Sequence, residues 1–308
     1  MDAASGSSAS YGLSPVRRSP IRSSSDPPPA VAPPLVRTSS SASADAAADG
    51  DTFYQALSIH LDAPVGSMSI SPANRDVALG ARRGLYIVDL QNPYDPPRFL
   101  PHNSPSPCVA LSLQHQILAD SAACRWEVAD VQWSCHSARS EWVVSTSNQK
   151  ALVYNLAQAY AASAPHSPIE HTLHAHSRAI TDINWHPMFP DSLATCGLDG
   201  CVWAWDLRAG YYGGGNTGRK PVWGVCEWGS GATQVKWNRN EPHQIASSHD
   251  NRVLIWDDRM GTVPVKTINA HSAKIYGIDW SRRSANEIVT CSLDRSLKVR
   301  HLYRCAAD

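Results

Sequence analysis

His174-Ala-His-Ser-Arg-Ala-Ile-Thr-Asp-Ile-Asn-Trp-His-Pro187, continued by Leu193-Ala-Thr-Cys-Gly-Leu-Asp199 and Ala204-Trp205-Asp206, is the stretch that decides the fold. Asp182-Ile-Asn-Trp185 alternates polar and apolar residues, the period of a strand with one buried face. A strand of small residues and a tight turn at Asp199 follow, then a third alternating strand that ends in Trp205-Asp206. Three other segments repeat the first element: Asp130-Val-Gln-Trp133, Gln234-Val-Lys-Trp237 and Gly277-Ile-Asp-Trp280, with the four tryptophans 52, 52 and 43 residues apart. The third strand recurs as Val153-Tyr154-Asn155, Ile255-Trp256-Asp257 and Val299-Arg300-His301. Six positions separate the turn residue (Asn148, Asp199, Asp250, Asp294) from Tyr154, Trp205, Trp256 and Arg300, a spacing that chance does not keep four times.

A fainter copy lies upstream, with Met68-Ser-Ile-Ser-Pro72 in place of the Trp strand and Leu85-Tyr-Ile-Val-Asp89 in place of the Trp-Asp strand. Five units of roughly 40–50 residues, each of short strands and turns, predict an all-β propeller of four-stranded blades. The units are expected near 57–90, 126–157, 174–208, 225–259 and 270–303.

Composition sets limits on the rest. The first 50 residues hold 13 Ser, 10 Ala and 7 Pro, too little apolar material to offset the entropy of ordering, so 1–50 is expected to be a disordered tail and 51–308 the propeller. Ser14-Pro15 and Ser19-Pro20, beside Arg17 and Arg18, have the form of proline-directed phosphorylation sites; the bland alternative is a plain low-complexity extension. Lys plus Arg (27) balances Asp plus Glu (27), so no global field draws the chain to nucleic acid or anionic lipid. No apolar run reaches membrane-spanning length. Eight cysteines without a secretory signal lead us to expect a reduced, intracellular protein.

The quoted motifs resemble the WD-repeat family. In that family a His, a Ser or Thr, an Asp and a Trp form a buried hydrogen-bonded tetrad, and the resemblance assigns these roles to His176, Thr195, Asp199 and Trp205. The fifth unit has His271, Thr290 and Asp294 but Arg300 in place of Trp; the fourth has Gly229 or Ser230 for the His and Ala246 at the Thr position. Both networks are therefore expected to be incomplete. The stretches 128–151 and 174–187 are similar to a narrower group, the propellers of WD repeat-containing protein fifty-nine in the SEA complex, called GATOR in animals. The resemblance covers roughly residues 55–300. It implies a scaffold subunit that assembles with other WD-repeat subunits at the vacuolar or lysosomal surface and relays amino-acid supply to the TOR kinase complex. A seven-bladed parent would need about 280–315 residues, so the chain is expected to be a fragment or to have lost its final blades, leaving an exposed sheet edge.

Catalysis finds little support. Gly213-Gly-Gly-Asn-Thr-Gly-Arg-Lys220 lacks the Lys-Ser/Thr that ends a phosphate loop and reads as a loop between blades. His171, His174 and His176 lack the Cys or carboxylates that would complete a metal site. Cys196 and Cys201 read as buried free thiols on neighbouring strands of one blade. No enzyme, cofactor, metal, nucleic-acid partner or small-molecule substrate is expected. Arg178, Lys274 and Tyr276 are candidate interface residues on a rim of loops, where Arg and Tyr anchor interfaces well; ordinary exposure is the bland alternative. Arg208 and Arg259 close two Trp-Asp-x-Arg boxes, which fit a rival reading, the substrate receptor of a cullin-type ubiquitin ligase.

Overall fold

The computed structural model describes residues 38–39, 58–61, 63–102, 128–159, 168–208 and 219–302, all within a compact unit, Pro34–Asp308. Within the segment expected to lack structure, β1 (Thr38–Ser39) pairs antiparallel with β2 (Ser58–Ile59); the rest of 1–50, with Ser14 and Ser19, lies outside the described residues.

Five antiparallel sheets follow in chain order. Blade 1 holds β3 (Val65–Ile70), β4 (Asp76–Ala81), β5 (Gly84–Asp89) and β6 (Arg98–Pro101). Blade 2 holds β7 (Val131–Trp133), β8 (Trp142–Ser147), β9 (Lys150–Asn155) and β10 (Ile169–His174). Blade 3 holds β11 (Ile180–Trp185), β12 (Ser192–Gly197), β13 (Cys201–Asp206) and β14 (Trp223–Cys226). Blade 4 holds β15 (Ala232–Trp237), β16 (Gln244–His249), β17 (Arg252–Asp257) and β18 (Lys266–Asn269). Blade 5 has three described strands, β19 (Ile275–Trp280), β20 (Glu287–Ser292) and β21 (Leu297–His301).

Sheet and repeat are out of phase by one strand. The unit expected at 174–208 lacks β14, whereas the unit expected at 225–259 begins inside it. The sheets themselves run 65–101, 131–174, 180–226, 232–269 and 275–301.

The core is a series of apolar slabs between consecutive blades. One slab sets Trp142, Val144 and Val153 of blade 2 against Ile183, Trp185 and Trp205 of blade 3. The next sets Ala194, Cys196 and Val202 of blade 3 against Val235, Trp237 and Trp256 of blade 4. Equivalent slabs join blades 1 and 2 and blades 4 and 5. Burying these faces drives the stacking, because a single sheet has no other place to hide them.

The recurring polar–apolar–polar–Trp motif stitches the blades together. Its first residue accepts a backbone N–H from the next blade: Ile183 N–H donates to Asp130 Oδ2 at 3.2 Å and Val235 N–H to Asp182 Oδ2 at 2.8 Å. Its third residue does likewise, with Trp237 N–H donating to Asn184 Oδ1 at 2.9 Å. In two of the four motifs the indole N–H returns the bond, from Trp185 to Gln132 O at 3.2 Å and from Trp280 to Lys236 O at 3.0 Å. Trp133 instead donates to Ser140 O of its own blade at 2.6 Å, and the buried Trp237 indole N–H meets no described acceptor. A β-bulge marks the start of the first strand in blades 1, 3, 4 and 5. In blades 3 and 4 the bulged residue is Thr181 or Thr233, whose hydroxyl donates to the next blade's Ala232 O or Ile275 O at 2.9 Å.

The two end faces differ from the internal ones. Met68 and Ile70 of blade 1, in the register of Ile183 and Trp185, are 67% and 50% exposed. Leu297 and Val299 of blade 5, in the register of Val202 and Ala204, are likewise exposed. Among the described residues no sheet covers either face.

Candidate interface and the buried networks beneath it

Blade 3 brings His176, Thr195, Asp199 and Trp205 together. Trp205 Nε1–H donates to Thr195 Oγ1 at 2.9 Å, and His176 Nε2 lies 2.8 Å from the same hydroxyl. The Asp199 carboxylate can only accept, so His176 donates Nδ1–H to it at 3.0 Å. Nε2 of the neutral ring is then left to accept the Thr195 hydroxyl proton, while that oxygen accepts from the indole. Burial pushes the Asp199 carboxyl up, but bonds from His176 and from the N–H groups of Ser177 and Cys201 hold it below the usual carboxylate range. These bonds tie the loop before the blade to the turn between its second and third strands.

In blade 5 His271 Nδ1 meets Asp294 at 2.8 Å and Nε2 meets Thr290 Oγ1 at 2.8 Å. No indole completes the chain; Arg300 instead donates to Ala270 O at 3.4 Å. Hydrogen bonds from Ser296 lead the causes that keep the Asp294 carboxyl well below its ordinary range, with His271 contributing despite an opposing desolvation effect.

Blade 4 departs from expectation. Trp256 Nε1–H donates to Ser247 Oγ at 2.7 Å, Ser247 Oγ lies 2.9 Å from His249 Nε2, and His249 Nδ1 lies 3.2 Å from Ser230 O. Ser247, not Ala246, therefore takes the Thr position, and the network expected to be incomplete is closed by an imidazole from β16 itself. The physical reason is turn length. β16 and β17 join through the two-residue turn Asp250–Asn251, whereas β12 and β13 are linked by Leu198, Asp199 and Gly200. Counting four residues back from the turn aspartate, as from Asp199 to Thr195, thus lands on Ala246, one residue past Ser247. Asp250, with φ 54°, stands outside the network.

Blade 2 pairs Tyr154, which stands at the Trp position, with a histidine that sequence reasoning missed. His102, immediately after β6, sits 2.7 Å from the Tyr154 hydroxyl. Burial pushes the His102 imidazole down to about 4 and the Tyr154 hydroxyl up. Residues 103–127 separate His102 from the rest of its blade, so no short spacing marked it.

Above blade 4 lies an open cleft of about 480 Å³, lined by Arg178, Leu198, Gly229–Gly231, Asp250–Arg252 and Lys274. Arg178 donates to Leu198 O at 3.3 Å, and Lys274 Nζ lies 5.6 Å from the Tyr276 ring centroid. Tyr276 belongs to β19, not to a loop, and occupies the bulge position that Thr181 and Thr233 use to reach a following blade. Its exposure follows from the uncovered end face. Arg208 and Arg259 are each held by the preceding Trp-Asp aspartate, Arg208 Nη2 at 2.9 Å from Asp206 and Arg259 Nη2 at 2.7 Å from Asp257.

The remaining candidates resolve simply. His171 is buried edge-on to Trp142 and its Nδ1 accepts from Arg219 Nε at 3.2 Å; burial, then the Arg219 charge, pushes it down to about 4. His174 is exposed, and no cluster of metal-ligating side chains occurs among the described residues. Residues 213–218 of the glycine-rich loop lie outside the described residues. Cys196 is a buried thiol, but Cys201 is not free: it is disulfide-bonded to Cys226, its direct cross-strand partner on β14. The two lie 25 residues apart on strands whose pairing the sequence did not reveal.

The WD domain, G-beta repeat family matches residues 167–206, 218–257 and 262–300. An RWD, RING finger and WD repeat-containing protein of Schizosaccharomyces pombe is 46% identical over 253 residues, 81% of this chain and 17% of that one. Maintenance of telomere capping protein 5 of Saccharomyces cerevisiae is 41% identical over 80% of this chain and 19% of its own length. The GATOR2 complex protein WDR59 of Homo sapiens is 30% identical over 76% of this chain and 20% of its own. The chain thus spans about a fifth of the relatives it matches. A crystal structure of the mitotic checkpoint complex contains a chain of the same fold, with TM-score 0.56 and 20% identity over 82% of this chain and 66% of that one. With its repeated four-stranded sheets and these matches, the chain belongs to the WD-repeat family of β-propellers.

Proposed function

We propose that this chain is a non-catalytic scaffold subunit of a SEA/GATOR-type complex that acts upstream of TOR. The observation that carries the reading is the likeness to WDR59, which extends over three quarters of the chain rather than over isolated repeats. Stitched blades supply the mechanism: buried networks fix the loops between strands, and fixed loops present side chains to partners at little entropic cost. Membrane association in this reading comes through the complex at the vacuolar or lysosomal surface, and among the described residues no helix is long and apolar enough to cross a bilayer. Phosphorylation of Ser14 and Ser19 would add charge to the tail and tune docking. Affinity purification of tagged chain from its native cells, followed by mass spectrometry, tests the proposal. Stoichiometric recovery of other SEA-type WD-repeat subunits is the expected result. Recovery of a cullin adaptor in their place would overturn it.

A further inference from the structure

Blade 4 differs from its neighbours on the loop face in two linked ways. Its second turn has two residues, against three in blade 3 and four in blade 5, and the loop before it carries Trp228-Gly-Ser-Gly231 where blades 3 and 5 present His176 and His271. Both features line the cleft: the short turn contributes Asp250 and Asn251, the loop contributes Gly229–Gly231, and the neighbouring blades contribute Arg178, Leu198 and Lys274. The loop is also pinned at both ends. Glu227 N–H donates to Gly200 O at 2.9 Å, its carboxylate accepts from Arg252 at 2.9 Å, and His249 holds Ser230 O. Between the pins Trp228 is 86% exposed, an extreme value for a large aromatic side chain.

The charges lining the cleft are unevenly matched. Arg252 is occupied by Glu227, but no described carboxylate lies within ion-pair distance of Arg178 or Lys274. Asp250 lies in the same lining, so Arg178, Arg252 and Lys274 against Asp250 and Glu227 leave a surplus of a single positive charge. That surplus suits one carboxylate better than a dianionic phosphate, which would face Asp250 as well. Trp228 itself is outside the lining but directly precedes Gly229–Gly231, which line the cleft. An exposed indole thus adjoins in sequence a cleft with two cations that no described carboxylate pairs, the composition of an interface anchor.

We propose that the cleft over blade 4 binds an extended peptide of a partner protein. An Asp or Glu side chain of that peptide lies between Arg178 and Lys274, and a neighbouring apolar side chain packs on Trp228. The inference rests on the scaffold reading and specifies where one partner docks. His249 acts as a positioning residue, holding the Trp228 loop from below without touching the peptide.

The test is an array of short immobilised peptides that differ only in a central Glu, phosphoserine, Ser or Lys beside a Leu, probed with the full 308-residue chain. Selective binding of the Glu peptides is expected. Arg178→Glu with Lys274→Glu should weaken it about tenfold or more, and Trp228→Ala comparably. Arg83→Glu on blade 1 serves as the control, and thermal melts confirm that the surface variants remain folded. His249→Ala should weaken binding even though Trp228, Arg178 and Lys274 are intact. Preference for phosphoserine, preference for Lys, absence of binding, or binding unaffected by the cleft variants would each overturn the proposal. If purification recovers SEA-type subunits and the cleft variants recover them equally, the scaffold reading stands and this inference fails.

Discussion

His249 stands in blade 4 at the register position that Gly197 holds in blade 3: His249 pairs with Ala232 as Gly197 pairs with Ile180. At position 197 a side chain is excluded, because a Cβ there would sit 2.9 Å from His176 Nδ1. At position 249 the side chain is itself the imidazole. The same hydroxyl-and-indole receptor is thus served from the preceding loop in one blade and from the strand in the next. Exchanging His249 for Ala should cost about 1–3 kcal/mol, since the Ser247 hydroxyl and Ser230 carbonyl lose their partner in a buried site. Urea titration measures this, and an unchanged midpoint would contradict it.

Thr195 and Thr290 should respond unequally to replacement by Val. Thr195→Val strands both the Trp205 indole and the His176 ring, whereas Thr290→Val strands the His271 ring and gives up one long bond to Lys298 O at 3.4 Å. Losses of about 2–3 and about 1–2 kcal/mol are expected, measured by denaturant titration of each variant. Equal losses would show that the indole adds nothing.

Asp130 gives the fold a pH dependence of unusual sign. Burial first, then the neighbouring Asp182 charge, raises its carboxyl to about 7, although Lys236 opposes the shift. The folded state therefore holds this proton more tightly than the unfolded chain does. The resulting stability is fully present below the ordinary carboxylate value of 3.8 and is lost as pH rises from there through about 7. Asp130→Asn should remove this contribution, so the wild-type-minus-variant difference in unfolding free energy should fall across that window. A flat difference would refute the assignment.

Reduction should loosen blade 3. The Cys201–Cys226 bond fastens β14 to β13 and closes a loop of 25 residues, for which about 2–4 kcal/mol is typical. The oxidised protein should melt higher than the same protein in excess dithiothreitol, and Cys226→Ser should abolish the gap. Labelling of two additional thiols by a maleimide after reduction would report the bond directly.

Gly224 should tolerate no side chain. It pairs across the ladder with Trp203, and a Cβ would lie 1.9 Å from the indole ring. Gly224→Ala should destabilise by about 1–3 kcal/mol through forced displacement of Trp203. A calorimetric scan showing no change in Tm would mean that the indole moves freely.

What was legible in the sequence follows from how far apart the interacting residues lie. The strand alternation of Asp182-Ile-Asn-Trp185 and the six-residue step from Asp199 to Trp205 are local, so they announced the blades directly. The assembly of His176, Thr195 and Asp199 could be named only through the resemblance, because spacing alone does not say that a loop His reaches a turn. Ser247 was displaced by one position because the forward step from Asp250 to Trp256 matches the long-turn blades while the backward step to the hydroxyl does not. The fourth strands went unplaced because short segments such as Trp223–Cys226 carry no Trp motif of their own. The inter-blade role of Asp130 and Asp182 was hidden for a different reason: their partners lie 53 residues onward, in another sheet.

The one-strand offset between repeat and sheet also governs how this protein can be cut. Removing the segment 174–208 would take three strands from blade 3 but leave β14 to an orphaned edge, and it would unfasten the loop that carries Trp228 from Gly200. Shortened versions should therefore be divided after the fourth strand of a sheet, at 174–180 or 226–232, where the cut in the chain falls in a loop and no sheet is split, although the apolar slab at that boundary is uncovered.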